Sequence, residues 1–156
     1  MNASKLLDLN AENFSGFGQI LSATAAPANA TNEEYSYWGR VSTTHLSQTA
    51  SSGLLLCNVR TPVVRSFERH KITPEILVSL DGETALCLAK AGEKPAEIRW
   101  FRVKKSDAVA LDPGTWHWIP FPLEGRDCRF LVIFAQGTEE NDLFYTDLEN
   151  PVSFER

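Results

Sequence analysis

The sequence is poor in the features that mark a disulfide scaffold, a membrane span or a nucleic-acid binder. Its three cysteines, Cys57, Cys87 and Cys128, are odd in number, far apart, and each set in or beside an apolar run (LLLCN, ALCLA, RDCRFLV). That arrangement argues against a disulfide frame or a zinc knuckle and predicts buried thiols. No run approaches the roughly 18 to 20 apolar residues that a membrane-crossing helix needs. The N-terminal MNASKLLDLNAENF meets Asp8 and Glu12 before the apolar stretch of a secretory signal can form, so a cytoplasmic location is expected. Basic residues are outnumbered, 15 Lys and Arg against 20 Asp and Glu, and the net charge of -5 is spread rather than blocked. Neither a nucleic-acid nor an anionic-membrane partner is expected. The pair Glu139-Glu140 reads as a solvated turn.

What is present points to one β-rich domain, residues 1–156. A chain of 156 residues with 43% hydrophobic content can build one sizeable core. SGLLLCNVR, EILVSLDG, TALCLAK, IRWFRVKK, DAVAL and RFLVIFAQ are short β-type segments separated by turn residues, the pattern of a sandwich or barrel. Asp81-Gly82-Glu83 is a strong turn signal and predicts a hairpin joining EILVSL to TALCLAK. AGEKPAE reads as a polar loop, and so does Ser22 to Asn32, SATAAPANATN. No helix longer than a short terminal turn is expected.

Ligand-type side chains gather in two places. In FERHKITPEILVSLDG, Glu68 and His70 stand two apart, so on a strand both face one side while Arg69 faces the other. Glu75 opens the next strand, where a carboxylate at the head of an apolar run requires a partner or a cation. In LDPGTWHWIPFP, Thr115, His117 and Ile119 would share one strand face, with Trp116 and Trp118 on the other. His45, alone in STTHLSQ, has no such company and reads as structural. Trp100, Trp116 and Trp118 read as packing or subunit-interface residues.

Together the two segments resemble the two cupin motifs. The first reads Glu68, Arg69, His70, four residues, Glu75, six residues, Gly82, and the second ends Gly114, Thr115, Trp116, His117. Glu68 stands where the first histidine is usual. Within the cupins the chain resembles the ureidoglycolate lyases, through Glu68-Arg69-His70, Gly114-Thr115-Trp116-His117, Phe17-Gly18-Gln19-Ile20, Arg60 and the RFLVIFAQG strand. The likeness covers roughly Phe17 to Phe134. It departs at Glu75, where that family commonly carries a glutamine.

The resemblance implies an all-β cupin fold, a jelly-roll antiparallel β-barrel. It implies a divalent metal ion, nickel, zinc, manganese or iron, held by Glu68, His70, Glu75 and His117, with Glu68, His70 and His117 catalytic. It implies cleavage of ureidoglycolate to glyoxylate and urea, with Arg60 binding the carboxylate of this small anionic substrate. The alternatives are another metal-dependent cupin enzyme acting on a small acid or sugar, or a non-enzymatic cupin binding protein. A homodimer is expected, from the habit of related cupins and from Trp116 and Trp118 on the face opposite the ligands.

Overall fold

Alternating apolar residues build two sheets that share the chain's core. The computed structural model describes residues 3–22, 27–39 and 41–155. The strands are β1 (Ala3–Asp8), β2 (Gly18–Ile20), β3 (Ala30–Thr31), β4 (Ser36–Tyr37), β5 (Ala50–Cys57), β6 (Val63–Arg69) and β7 (Glu75–Ser79). They continue as β8 (Thr84–Lys90), β9 (Ala96–Val103), β10 (Ala108–Leu111), β11 (Trp116–His117), β12 (Phe121–Pro122) and β13 (Cys128–Ala135). The four-residue helix α1 (Thr138–Asn141) and the twelve-residue β14 (Phe144–Glu155) complete the described chain.

One sheet runs β11-β6-β14-β1-β9-β8-β12, and β11 also pairs with β8, so six strands close into a ring. The other runs β2-β10-β7-β13-β5. Pairing is antiparallel except at β1, which lies parallel to both β14 and β9. The barrel is therefore mixed where an antiparallel one was expected.

Two apolar clusters follow from strand alternation. Val64, Phe67, Ala85, Cys87, Ala89, Trp100, Trp116, Phe121 and Phe154 form one. Leu86, Leu88, Phe101 and Val103, the alternate residues of β8 and β9, join Leu77, Val109, Leu111, Phe130 and Val132 of the second sheet in the other. The ring thus has apolar residues on both faces, and the second cluster joins it to the five-stranded sheet. The three cysteines are free and buried, as their settings predicted.

Three expectations need correction. Gly82 takes φ +69 as a turn glycine, yet the strands it joins do not pair: β7 bonds to β10 and β13, whereas β8 bonds to β9, β11 and β12. Turn chemistry fixed a reversal of direction, and the sheet assignment was decided by which apolar faces could be covered. The polar loop before β9 is two residues shorter than expected, since Ala96 and Glu97 already belong to the strand. The stretch Ser22 to Asn32 lies partly outside the described residues, and its described end contains β3, which pairs with β4.

Candidate metal-binding site

The candidate ligands arrive from both sheets. His117 lies on β11 opposite Glu68 of β6, His70 follows the end of β6, and Glu75 opens β7 of the other sheet. His117 Nε2 is 2.8 Å from Glu75 Oε2, and His70 Nε2 is 3.5 Å from the same oxygen. One ligand atom from each of His70, Glu75 and His117 lies within 4.8 Å of the others, and all three residues are buried. This group could hold a metal ion. Glu68 stands outside it, with Oε1 3.6 Å from His117 Nε2, and its side chain is more open than the other three. Arg69 points away, stacked on the Trp116 ring and donating to the Gly92 carbonyl.

The backbone selects the inward nitrogen of each ring. His70 Nδ1 is 2.8 Å from the Asp142 carbonyl, and His117 Nδ1 is 3.0 Å from the Thr115 carbonyl. A carbonyl can only accept, so each Nδ1 carries a proton and each Nε2 is the atom left to face Glu75. Despite their closeness, Glu75 Oε2 and His117 Nε2 are not aligned as a hydrogen bond, and neither buried atom makes one with any other described group. A buried carboxylate oxygen and a buried imidazole nitrogen left open toward each other fit a shared cation, which would satisfy both at once.

Without a cation the pair charges itself. Burial pushes the Glu75 carboxyl up, but His117 and then His70 overcome it and hold it down at about 2. Burial pulls His117 down, but the nearby negative charges of Glu75, then Glu68, lift it to about 9.

Beside this group is a cavity of about 250 Å³, lined by Glu68, Glu75, His117 and Glu139 among the apolar residues Leu54, Leu55, Leu77, Trp118, Ile119, Pro120, Val132 and Phe134. Among the described residues, no lysine or arginine lines it. His70 is not among the lining residues, and neither is Arg60. The Arg60 guanidinium donates instead to the carbonyls of Asn58 at 3.0 Å, Pro120 at 3.1 Å and Ile119 at 2.7 Å, and lies over the Phe121 ring. Trp118 joins His117 in lining the cavity because β11 ends at His117 and strict alternation stops there. Trp116 is buried at 2% exposure among the first apolar cluster, so it is no part of an outer surface. His45 takes no part in the site.

Three of the four candidate ligands, His70, Glu75 and His117, thus come together on the barrel. Residues 1–155 match the sequence model of the family described as ureidoglycolate lyase. The chain belongs to the ureidoglycolate lyase family. Among solved structures, this ureidoglycolate lyase family member is similar to the capsular polysaccharide assembling protein CapF from Staphylococcus aureus, at 14% identity over 65% of this chain and 28% of that one, with a TM-score of 0.51. It is also similar to oxalate decarboxylases. That of Bacillus subtilis, described with Mn(II) centres, is 20% identical over 69% of this chain and 24% of that one, with a TM-score of 0.44. That of Lactobacillus farciminis is 14% identical over 69% and 27%, with a TM-score of 0.43. The chain spans about a quarter of the length of these proteins. No curated protein matches it in sequence.

Sequence reasoning missed three contributors. Glu139 sits in the first turn of α1 and lines the cavity instead of belonging to a solvated turn alone. Trp118 packs against the cluster that holds Trp116, as expected, and also lines the cavity, which was not expected. Asp142, in an unremarked Asn-Asp-Leu, bonds to His70 and to the loop that follows it. None of these has a periodic or motif signal in the sequence.

Proposed function

We propose that the chain is a metal-dependent carbon–nitrogen lyase that cleaves ureidoglycolate to glyoxylate and urea. Family membership over residues 1–155 supports this reading, and the observation that carries the metal is the buried cluster of His70, Glu75 and His117 ligand atoms, in which Glu75 Oε2 and His117 Nε2 make no hydrogen bond. His70, Glu75 and His117 would hold a divalent ion, and two imidazole nitrogens with a carboxylate oxygen suit nickel, zinc, manganese or iron. A bound ion supplies a positive charge that stabilises the substrate's oxygens as the hydroxyl is deprotonated.

The cavity's charge supports the same conclusion. An anionic substrate entering a space with three carboxylates and, among the described residues, no lysine or arginine would be repelled unless a cation offsets them. Arg60, bonded to the Ile119 and Pro120 carbonyls, is better placed to hold that wall of the cavity than to clamp the substrate carboxylate.

Glu68 lines the cavity and stands outside the ligand group, which suits it to be the base. It takes the proton of the C2 hydroxyl, the oxygen's electron pair forms the carbonyl, the C–N bond breaks toward nitrogen, and Glu68 returns the proton to the departing urea. The proton balance closes within one residue.

A second reading is favoured by the walls. Leu55, Leu77, Ile119, Val132 and Phe134 offer an apolar surface that ureidoglycolate does not need, and they would suit a small acid with a hydrophobic group. We also propose a homodimer, formed through β5 rather than the tryptophans. The test of function is metal analysis of the purified protein together with urea release from ureidoglycolate. Stoichiometric metal with urea release is the expected result, and a metal-loaded protein that releases none would leave the lyase reading without support.

A further inference from the structure

His70 and Glu75 belong to different sheets, and only the residues 71–74 join them. Where these two side chains meet therefore depends on what holds that loop. One carboxylate does so: Asp142 Oδ1 accepts from the Lys71 amide at 2.8 Å, and Oδ2 accepts from the amides of Ile72 at 3.0 Å and Thr73 at 2.8 Å. The main-chain carbonyl of the same residue accepts from His70 Nδ1.

Asp142 is itself fixed. It is 3% exposed, it closes α1, and its amide donates to the Thr138 carbonyl at 2.9 Å. Burial of the carboxylate is offset by its three amide donors, which hold its pKa below the usual carboxylate value and keep it ionised. The buried polar clamp therefore acts on the two sides of one candidate ligand: on the ring of His70 through the carbonyl, and on the chain running from His70 to Glu75 through the carboxylate.

We propose that Asp142 is a positioning residue for the metal site, setting the distance between His70 and Glu75 and directing His70 Nε2 toward Glu75. The inference rests on the metal reading above. Groups that orient a ligating histidine typically change metal affinity by about 10- to 100-fold when lost, and here the Asp142 carboxylate acts through the loop that follows His70 while its main-chain carbonyl is unaffected by substitution. In Asp142→Asn, one oxygen becomes an NH₂ group facing backbone donors, so the loop loses at least one acceptor and gains a repulsive contact.

The test is Co(II) binding and its visible absorption in wild type, in Asp142→Asn, and in Val64→Ala. The last is a buried substitution among the first apolar cluster that lowers stability without touching the site. Asp142→Asn should bind Co(II) at least about tenfold more weakly with an altered spectrum, while Val64→Ala keeps wild-type affinity and spectrum. Wild-type Co(II) behaviour in Asp142→Asn, or equal loss in Val64→Ala, would overturn the proposal while leaving the metal reading intact. A wild type that binds no Co(II) would overturn the metal reading itself. Should Asp142→Asn fail to fold, ¹⁵N NMR of the zinc-loaded wild type decides: His70 bound through Nε2 with its proton on Nδ1 is expected, and zinc on Nδ1 overturns the proposal.

Discussion

His117 is the residue on which the site can be broken most cleanly. It is buried, it comes from the second motif, and its removal leaves the loop between His70 and Glu75 untouched. His117→Ala is expected to lose bound metal and turnover while its circular dichroism stays that of the wild type; wild-type urea release by this variant would show that the site lies elsewhere. The raised pKa of His117 adds a second test. Metal and proton compete for Nε2, and His117 holds its proton up to about pH 9 in the metal-free protein. Metal binding at pH 7 should therefore release a proton, and affinity should climb by roughly tenfold per pH unit through neutrality. Levelling off near pH 6.5, the ordinary histidine value, would contradict this environment. Metal-free stability has the opposite slope. His117, raised from 6.5, contributes in full below that pH and loses its contribution as pH rises through about 9. Glu75, lowered from 4.5, contributes above that pH and loses it as pH falls toward about 2. The pair's contribution should thus be complete between pH 4.5 and 6.5, and a melting temperature of the metal-free protein that rises from pH 6.5 to 9 would refute the pairing.

At the scale of elements, the turn at Gly82 shows how a correct local reading can mislead about topology. Gly82 has φ +69, and a Cβ there would lie 2.4 Å from Cys128 Sγ at the start of β13. Gly82→Ala should cost the backbone penalty of a left-handed alanine, about 1 to 2 kcal/mol, plus a clash specific to Cys128. In the Cys128→Ala background the same change should cost less by more than about 0.5 kcal/mol, measured by urea denaturation as a double-mutant cycle. Additive effects would mean that the sulfur gives way freely. Six strands were legible because they are short apolar runs set between clean turn signals. β14 was not: Glu149, Asn150 and Pro151 fall where its pairing with β6 shifts register between Asp147 and Val152, so no period survives. β1 was hidden because a parallel strand at the chain's start has no hairpin to announce it. The ligands were legible because strand alternation and motif spacing both depend on the local chain. Asp142, which meets His70 from 72 residues away, depends on tertiary structure alone.

For the whole molecule, the question is how the free edge of the five-stranded sheet is protected. β5 is that edge, and its eight residues, ASSGLLLC, carry no charge and no proline. Natural edge strands are usually blunted by such residues, because unpaired amides and carbonyls recruit another strand. Instead β5 exposes Leu54 and Leu56, at 67% and 54%. The expectation that Trp116 makes the subunit contact fails because that ring is buried, whereas the two exposed leucines of β5 lie on an unpaired sheet edge. A two-fold pairing covers it with its own equivalent on a second copy, the simplest closed solution. Leu56 separates assembly from chemistry, since it is exposed on β5 and does not line the cavity, whereas Leu54 does. A lysine at position 56 would place a charge in the centre of such a contact and resist its desolvation. Light scattering should find a dimer for the wild type and a monomer for Leu56→Lys, with metal content unchanged in the variant. A wild type that is monomeric at micromolar concentration, or a Leu56→Lys that remains dimeric, would place the interface, if any, away from β5.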